Sequence, residues 1–376
     1  MKQILDKYIF KEVNNAPLIV FRIIFGSIMF FSLLRFWLNG WVEEFFIQPE
    51  FHFKYYGFQW VPVFNELSIY LTFFIGLASS LFIALGFMYR ISAILFFLSY
   101  TYLELIDSAL YLNHYYLISL IGLIMIFLPA HERFSLDSKL GLTKKRNQTA
   151  AWTINIIRFQ LLVLYFYAGI AKIQSDWLLE AQPLQLWLNV HSDMPVFGTL
   201  LTMEWTAYFF SWFGCIYDLL IGFFLFIPRT RKWAYVFVVL FHLATGFLFN
   251  IGLFPYIMIA LTLVFFGELF HEKVLKLLGE KKTLEAIKTP TWKKWILIPI
   301  GLYCLFQISF PLRHLLHEGN VFWTEEGYRF SWRVKLVAKN GNATFYVEDR
   351  ETKRRIEIKN REYLSAIQEK KMSVKP

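Results

Sequence analysis

Long apolar runs fill most of the first 312 residues and recur at short intervals. A helix needs about 20 mostly apolar residues to cross the hydrocarbon core of a bilayer. Nine segments approach this length: 16–38, 67–88, 91–110, 114–130, 152–174, 205–227, 233–250, 251–268 and 294–312. The pattern predicts an all-α polytopic membrane bundle of about nine transmembrane helices. The junctions at 88–91 and 250–251 are so short that each predicts a tight hairpin or a re-entrant half, and eight or ten spans stay open as alternatives.

Composition supports a membrane protein and excludes several soluble classes. Of the 376 residues, 57% are hydrophobic and 18% are charged, whereas soluble domains carry about 25% charged residues. The two cysteines, Cys215 and Cys304, lie inside apolar runs and are expected to be small buried hydrophobes. Because the sequence has no Cys-x-x-Cys pair, a dithiol quinone reductase is excluded. No small-residue cleavage site follows the first apolar run, which is therefore expected to be a span and not a signal peptide.

Basic residues are distributed unequally between alternate connections. Cytoplasmic connections of membrane proteins are enriched in Lys and Arg. With a cytoplasmic N-terminus, 19 of the 38 basic residues fall on inner segments: Lys2, Lys7, Lys11, Arg90, Arg133, Lys139, Lys144, Lys145, Arg146, Arg229, Arg231, Lys232, Lys273, Lys276, Lys281, Lys282, Lys288, Lys293 and Lys294. The outer loops at 39–66, 111–113 and 175–204 contain one, Lys54. The asymmetry predicts a cytoplasmic N-terminus, and it explains the net charge of +10 without a nucleic-acid partner.

Residues 313–376 differ in pattern from the preceding bundle and are predicted to form a small β-rich non-cytoplasmic tail. Apolar and polar residues alternate over 330–336, Asn340-Gly341 is a typical hairpin turn, and the alternation resumes at Phe345 and Val347. A third short strand at 356–358 and a helix near 361–372 are expected to follow. We therefore divide the chain into a membrane domain, 1–312, and the start or a fragment of a soluble module, 313–376.

Ionisable side chains inside a span are costly and usually functional. Four basic residues lie within the predicted spans: Arg22, Arg35, Arg158 and Lys172. Arg35 is close enough to the outer interface for its guanidinium to reach water. The fifth span carries two adjacent polar stripes with a spacing of seven: Arg158, Tyr165 and Lys172, and Gln160, Tyr167 and Gln174. Residues seven apart lie on one helix face, so the stripes predict that this helix faces the bundle interior or a cavity.

Lys172 lies about one turn from the outer end of the fifth span, and two hypotheses fit this position equally. Its amine either reaches the interface or is desolvated and acts as a general base near neutral pH. Gly169 beside it would let another helix pack closely, which favours burial. His114, His242 and His314 are predicted on the same side of the membrane. No histidine pair has the i, i+4 spacing of a zinc helix, and neither a Cys nor a carboxylate accompanies the three, so no metal is expected.

Several separated segments, in order along nearly the whole chain, carry a family resemblance. They are FRIIFGSIMFFSLLRFW, FHFKYYGFQWV, LNHYYL, YFYAGIAKIQSDW around Lys172, FHLATGFLFNIGLFPY and LRHLLHEGNVFWTEEGYRFSWRVKL. The chain resembles the vitamin K-dependent γ-glutamyl carboxylases and their bacterial relatives, the horizontally transferred transmembrane domain (HTTM) proteins. The resemblance implies a helical membrane bundle whose reaction chamber opens to the lumenal or periplasmic side.

The resemblance further implies an enzyme that couples oxygenation of reduced vitamin K, a menaquinol or phylloquinol, to carboxylation of peptide glutamate. O2 and CO2 would be co-substrates, and no metal would take part. Formation of vitamin K epoxide generates a strong base that removes the γ-proton of glutamate, and CO2 then adds. The implied partners are quinol from the membrane, the lipid bilayer and a glutamate-containing secreted protein or peptide. The implied location is the bacterial plasma membrane, with the active site on the periplasmic or extracellular face.

Carried over residue by residue, the resemblance assigns three catalytic roles. Lys172 matches the base that deprotonates the hydroquinone, His114 matches the histidine needed for epoxidation, and His314 matches a further active-site histidine. The implied cofactor-binding residues are Asn113, His242, Arg313, Trp323 and Phe330. Phe330 stands where animal carboxylases have a tyrosine that is thought to contact the quinone, so a hydroxyl contact is not expected there.

Two other functions stay open. Animal carboxylases continue into a large lumenal domain that holds the substrate propeptide, and this sequence ends before it. A quinol epoxidase, or another quinone-handling oxidoreductase that carboxylates nothing, is therefore the first alternative. A non-enzymatic transporter or membrane scaffold is the second, although the internal repeats typical of transporters are not visible in the sequence.

Overall fold

A computed structural model describes residues 8–249, 251–280 and 294–374, and a helix lies in each of the nine predicted apolar segments. Asn250 and residues 1–7, 281–293 and 375–376, which carry part of the predicted basic inner segments, lie outside the described residues. The main helices are α1 Ala16–Leu38, α2 Glu66–Leu85, α3 Tyr89–Ile106, α4 Asn113–Phe127, α5 Trp152–Ile170, α6 Glu204–Phe226, α7 Arg231–Phe249, α8 Phe254–Thr262, α9 Glu268–Leu277, α10 Leu297–Ser309 and α11 Ala366–Val374.

Shorter elements complete the described chain. One- and two-turn α-helices are Leu136–Lys139, Ser175–Leu178, Leu184–Asn189, Gly198–Leu201 and Val321–Thr324. Two antiparallel pairs of strands are β1 Glu12–Asn14 with β2 Gln148–Ala150, and β3 Phe345–Glu348 with β4 Arg355–Ile358. The first pair joins the N-terminal segment to the residues before α5, and the second forms a hairpin in the tail.

The predicted helical membrane bundle is confirmed, but the count of nine spans is only approximate. Among the described residues, six helices are long and apolar enough to cross a membrane: α1, α2, α3, α5, α6 and α7. A seventh span is present only if Phe254–Phe265 and Glu268–Leu277 are counted together as one span. These two helices are bent by 117° at the break between them. Helices α4 and α10 contain 15 and 13 residues. Hydropathy counts apolar residues without regard to helix length or bending, which explains the overcount.

The predicted hairpin between the second and third spans is confirmed, and a distant carboxylate stabilises it. Gly86 ends α2 with a φ of +64°, a conformation that glycine adopts without a steric penalty. Asp137 then accepts hydrogen bonds from the backbone N–H groups of Met88 (2.7 Å) and Tyr89 (3.0 Å) at the start of α3. A carboxylate at a helix N-terminus satisfies donors that lack partners within the helix.

The end of α1, the starts of α4 and α8 and the connection after α7 line a common cleft, so they lie at the same end of the bundle. Lys172 lines a cavity that shares Trp187, Phe254 and Lys335 with this cleft. We call this end of the bundle the Lys172 end. The tail packs on it: the side-chain amide of Asn113, at the start of α4, donates to the backbone oxygen of Arg333 (2.8 Å), and that of Gln368 in α11 donates to the backbone oxygen of Phe51 (2.5 Å). The tail and Lys172 therefore lie at one end, as predicted.

The predicted strand at 330–336 is wrong. This segment is irregular, and Phe330, Trp332 and Lys335 have φ values of +59°, +60° and +50°. Trp332 is fully buried and its ring stacks on that of Tyr116 in α4, 5.0 Å between centroids. The aromatic side chains of the segment pack between helix ends, and this tertiary contact overrides the alternating pattern.

The structure of the later part of the tail agrees better with the prediction from the sequence. The strands predicted at Phe345–Val347 and 356–358 are confirmed as β3 and β4. The turn that joins them lies at 349–354, not at Asn340-Gly341, and the Asp349 side chain accepts from the backbone N–H of Thr352 (2.6 Å). The expected helix near 361–372 is α11, which begins at Ala366.

At the end of the bundle opposite Lys172, one arginine joins three parts of the chain. Arg133 is 1% exposed and donates two hydrogen bonds to Glu272 of α9 (both 2.8 Å) and two to Glu280 (2.8 and 2.7 Å). Glu272 also accepts from Asn14 of β1 (2.8 Å). The network fixes α9 against the bundle.

We predict that Arg133→Gln destabilises the protein by about 3–5 kcal/mol, because it leaves two partly buried carboxylates without their cation. The measurement is thermal unfolding of the purified protein in detergent. Arg361→Gln is the matched control, since the Arg361–Glu369 pair lies at the surface (side-chain exposures 85% and 31%) and surface ion pairs contribute little. Equal midpoints for the two variants would contradict the assigned role of Arg133.

Candidate functional site

Lys172 is buried and forms an ion pair with a carboxylate of the next span. It lies in the turn after α5, and its Nζ donates to Asp218 Oδ2 of α6 at 2.6 Å and to the backbone oxygen of Ala168 at 3.1 Å. Lys172 is 6% exposed and Asp218 is 5% exposed. The Nζ atom also lies 5.6 Å from the centroid of the Trp177 ring. Lys172 therefore points into the bundle, and the hypothesis of an amine that reaches the interface does not fit its position.

A glycine brings the two spans close enough for this contact. A Cβ at Gly169 would lie 2.7 Å from the backbone nitrogen of Leu219, the residue after Asp218. Any side chain at position 169 would push α6 away from α5. The predicted close approach beside Lys172 is thus present, and its consequence is the ion pair.

His242 and Tyr165 form a second buried polar pair next to the first. The Tyr165 hydroxyl of α5 lies 3.0 Å from His242 Nε2 of α7, and His242 is 2% exposed. The other ring nitrogen, Nδ1, is buried and has no hydrogen-bond partner among the described residues. A buried polar atom without a partner carries a large desolvation cost unless a ligand or water satisfies it.

Both pairs face one small cavity of about 100 Å³. Its remaining walls are mostly apolar or aromatic: Leu164, Ala168, Trp177, Leu184, Trp187, Phe210, Gly214, Phe241, Thr245, Phe249, Ile251, Phe254, Val334 and Lys335. We call this space the Lys172 cavity. The lining, apolar with a few convergent polar groups, resembles that of sites for small organic molecules, whereas the volume is below the roughly 300–1,000 Å³ of such sites.

A larger cleft of about 760 Å³ adjoins the Lys172 cavity at the same end of the bundle. His114 and Asn113 line it, and Trp187, Phe254 and Lys335 line both spaces. The Phe254 ring lies between the two histidines, 5.7 Å from the His114 ring and 5.8 Å from the His242 ring, centroid to centroid. His114 and Lys172 thus face neighbouring spaces that share the Phe254 side chain as part of their walls.

Asn113 contacts the tail and also an aromatic cluster. The Tyr111 hydroxyl donates to Asn113 Oδ1 (3.0 Å) and accepts from the backbone N–H of Phe330 (2.7 Å). The Phe330 ring packs against the rings of Tyr111 (5.0 Å), Tyr116 (4.9 Å) and Tyr55 (5.4 Å between centroids). Phe330 therefore anchors the tail among tyrosines and is not among the residues that line either space.

His314 and Arg313 lie behind the cleft and hold its wall. His314 Nε2 lies 3.1 Å from Arg333 Nη2, and Nδ1 lies 3.0 Å from the backbone oxygen of Pro311. Burial lowers the pKa of His314, and the positive charges of Arg333 and Arg313 act in the same direction. Arg313 donates to Ser331 Oγ (2.9 Å) and to the backbone oxygen of Arg329. These two residues position the 329–333 segment, whose Arg329 and Arg333 side chains line the cleft.

Trp323 is not brought to the site. Its side chain is 76% exposed, and it lines neither the Lys172 cavity nor the larger cleft. Of the eight residues assigned from the resemblance, Lys172 and His242 line the first space and His114 and Asn113 line the second. Of the other four, Arg313 and His314 lie in the 3₁₀ helix Phe310–Leu316, Trp323 lies in the one-turn helix Val321–Thr324, and Phe330 lies in the irregular segment.

The expectation that no carboxylate accompanies the histidines is wrong, because Asp218 lies in the Lys172 cavity. Its signal was present in the sequence as an acidic residue within the apolar segment 205–227.

Glu104 gives the same signal, an acidic residue within an apolar segment, in α3. It is 8% exposed, accepts from the Ser119 hydroxyl (2.5 Å) and lines a separate cavity of about 220 Å³. Within the described residues, no group of three or more His, Cys, Asp or Glu side chains could hold a metal ion.

The two polar stripes of α5 face other elements of the bundle, as predicted. Arg158 donates to the backbone oxygen of Val264, beyond α8 (3.0 and 2.9 Å), and Gln160 accepts from the Tyr303 hydroxyl of α10 (2.5 Å). The hydroxyl of Tyr167 donates to the backbone oxygen of Ile308. Arg158 thus satisfies carbonyl groups at the bend between α8 and α9.

These observations define a polytopic helical membrane protein with a buried lysine–aspartate pair that faces a cavity at one end of the bundle. In a comparison with protein-family models, residues 10–268 match the HTTM domain, and the chain belongs to this family. Residues 292–376 match the lumenal domain of vitamin K-dependent gamma-carboxylase. The chain is thus a vitamin K-dependent carboxylase-like integral membrane protein. No solved structure matches it.

A double-mutant cycle tests the ion pair without reference to function. We predict that Lys172→Met and Asp218→Leu each destabilise the protein by about 3–5 kcal/mol, because each leaves one buried charge unpaired. The double variant should lose much less than the sum of the two, since neither charge is left. Thermal unfolding in detergent measures all four proteins. Additive losses would show that the two side chains do not interact.

Proposed function

We propose that the protein oxygenates reduced vitamin K in the Lys172 cavity and couples this reaction to carboxylation of a glutamyl side chain presented from the larger cleft. The observation that carries the proposal is the buried Lys172–Asp218 pair, because it offers a proton acceptor inside a mostly apolar space. Vitamin K is the cofactor implied by the family. O2 and CO2 enter the proposal as co-substrates.

The residues of the cavity fit a quinol. Phe241, Phe249 and Leu164 offer flat or apolar surfaces for an aromatic ring, and such walls bury most of a small ligand. His242 Nδ1 needs a hydrogen-bond partner, which a ring hydroxyl provides. Reduced vitamin K, when bound, supplies ring hydroxyl groups that must release a proton before oxygen reacts. The cavity lies between α5, α6 and α7, which are membrane-spanning helices.

Lys172 and Asp218 are proposed to act together as the base. At 2.6 Å, Nζ and Oδ2 hold the ammonium proton between them, and the ammonium and carboxylate stabilise each other. Transfer of the shared proton to the carboxylate leaves a neutral amine on Lys172, which then accepts the proton of the ring hydroxyl and becomes an ammonium again. The positive charge gained then balances the negative charge left on the ligand, so the cavity's net charge does not change. This matters because an uncompensated charge is costly in an apolar space.

His114 is proposed to act from the cleft side of the Phe254 ring. It is half-buried between aromatic rings, and its neighbour Asn113 is fixed by Tyr111 and by the backbone of Arg333. This placement lets His114 exchange a proton with a group that bridges the cavity and the cleft. His314 is proposed to position Arg333 and not to contact the reacting atoms.

The Lys172 end is proposed to face the periplasm or the exterior of a bacterial plasma membrane. The single basic residue of the outer loops, against 19 on the inner segments, supports this orientation. A secreted protein or peptide with glutamate residues would then reach the cleft from outside the cell. A quinol epoxidase without carboxylation is the alternative.

We predict that Lys172→Arg leaves expression and membrane insertion near normal but lowers vitamin K epoxide formation by about 10²–10⁴-fold, the contribution of a typical general base. Guanidinium keeps the charge and the contact with Asp218 but does not release its proton. The assay follows conversion of reduced vitamin K to the epoxide by chromatography, with and without a glutamyl peptide and labelled CO2.

Lys54→Arg is the matched control, because Lys54 donates to the backbone oxygen of Val61 (2.7 Å) in a loop outside the Lys172 cavity. It should keep wild-type epoxidation. Epoxidation by Lys172→Arg at the wild-type rate would remove Lys172 from the role of base. Epoxide formation without label in the peptide would favour the quinol epoxidase over the carboxylase.

A further inference from the structure

A second buried carboxyl group lies outside the Lys172 cavity. Glu104 of α3 is 8% exposed, and its Oε2 atom accepts from the Ser119 hydroxyl of α4 (2.5 Å). The other oxygen, Oε1, is buried and has no hydrogen-bond partner among the described residues. In the same part of the chain, no basic side chain forms an ion pair with Glu104. Because burial of an uncompensated carboxylate is costly, Oε1 points to a ligand that supplies both a donor and a positive charge.

The space that Glu104 lines, which we call the Glu104 cavity, has a volume of about 220 Å³ and mostly apolar walls. Six aromatic side chains line it: Phe36, Phe45, Phe46, Phe73, Tyr100 and Tyr115. Several of them pack on one another, with the Phe36 ring 5.4 Å from that of Phe73 and 5.6 Å from that of Phe45, centroid to centroid. Aromatic faces attract an ammonium group, and apolar walls favour an apolar ligand body.

Lys371 of α11 is the one basic residue among the described residues that line the Glu104 cavity. No ion pair or hydrogen bond joins it to Glu104 or to another carboxylate in the described chain. Burial lowers the pKa of Lys371, and the positive charges of Lys335 and Lys370 act in the same direction. A carboxylate beside Lys371 offsets these effects, just as an ammonium beside Glu104 offsets the burial of its carboxylate.

The Glu104 cavity adjoins the larger cleft at the Lys172 end of the bundle. Six residues line both spaces: Ser32, Phe36, Tyr100, Leu112, Tyr115 and Lys371. Glu104 lies two residues before the end of α3, at Ile106, and therefore not at the middle of this membrane-spanning helix. The position of the cavity is thus compatible with a ligand that carries charged groups.

We propose that the Glu104 cavity binds a small zwitterion with an apolar body, of the chemical class of the apolar α-amino acids. The ligand's ammonium donates to Glu104 Oε1, its carboxylate pairs with Lys371 Nζ, and its apolar side chain contacts the aromatic walls. The site is separate from the Lys172 cavity, and the inference does not depend on the proposed function.

A zwitterion fits the cavity better than a simple amine or a simple acid. The wall carries one acidic and one basic group, so a ligand with one charge of each sign compensates both and leaves the net charge unchanged. An amine compensates Glu104 alone and adds a positive charge beside Lys371. An acid compensates Lys371 alone and adds a negative charge beside Glu104. In an apolar space either uncompensated charge is costly.

Equilibrium dialysis of three radiolabelled probes tests the inference without any quinone. The probes are L-leucine, 3-methylbutylamine, which is leucine without its carboxylate, and 4-methylpentanoate, which is leucine without its amino group. The full-length protein in phosphatidylcholine nanodiscs is compared with empty nanodiscs, so that partition into lipid is subtracted. We expect saturable binding of leucine and at least about tenfold weaker binding of the other two, since each lacks one charge-assisted contact.

Two variants connect this binding to the cavity. Glu104→Gln and Lys371→Gln should each weaken leucine binding about tenfold, because each removes one charge and keeps a side chain of similar shape or polarity. The matched controls are Glu204→Gln and Lys359→Gln, which remove exposed charges outside the cavity. Both controls should bind leucine like wild type. No saturable leucine binding, or equal affinity for leucine and 3-methylbutylamine, would overturn the inference. So would Glu104→Gln binding leucine as tightly as Glu204→Gln.

Thermal unfolding without amino acid tests whether Lys371 itself is the partner of Glu104. We expect Lys371→Gln to shift the unfolding midpoint by the same amount in the wild-type protein and in the Glu104→Gln variant, because the two side chains form no direct pair. A midpoint shift seen only in the wild-type protein would show that Lys371 pairs with Glu104 directly, and it would overturn the inference. None of these outcomes bears on the proposed function, since no quinone is present.

Discussion

The contact between Lys172 and Asp218 is the interaction on which the rest of the site depends. In an apolar bundle, either charge alone would cost several kcal/mol, so the two spans that carry them must stay in register. Gly169 meets this requirement because it lets the backbone of Leu219 approach α5. Tyr165 of α5 and His242 of α7 form a second buried pair that faces the same space, the Lys172 cavity.

The tail completes the site because it packs against the ends of the membrane helices. Phe330 and Trp332 pack against the aromatic residues of α4 and its preceding turn, and this packing determines where Arg333 and Lys335 lie. His314 and Arg313 hold the same segment from behind through Arg333 and Ser331. The membrane bundle thus supplies the apolar walls and the Lys172–Asp218 pair of the site, and the tail adds Arg333 and Lys335.

The sequence predicted those features that depend on local rules. Apolar runs of span length predicted the bundle, and a basic residue within such a run identified Lys172. Asp218 was missed because the same rule was applied to basic residues and not to acidic ones. The strand at 330–336 was predicted wrongly because burial of Trp332 depends on Tyr116, which is more than 200 residues away in the chain. Trp323 was assigned from its place in a motif, and motif position does not determine exposure.

The central claim is that the ring of reduced vitamin K lies beside Lys172 and Asp218. Cryo-electron microscopy of the protein in lipid nanodiscs, prepared without oxygen and with reduced vitamin K, measures this directly. We predict density for the ring between α5, α6 and α7, with a ring oxygen within hydrogen-bond distance of Lys172 Nζ or Asp218. A ring found instead in the cavity beside Glu104, with the Lys172 cavity free of ligand, would contradict the claim.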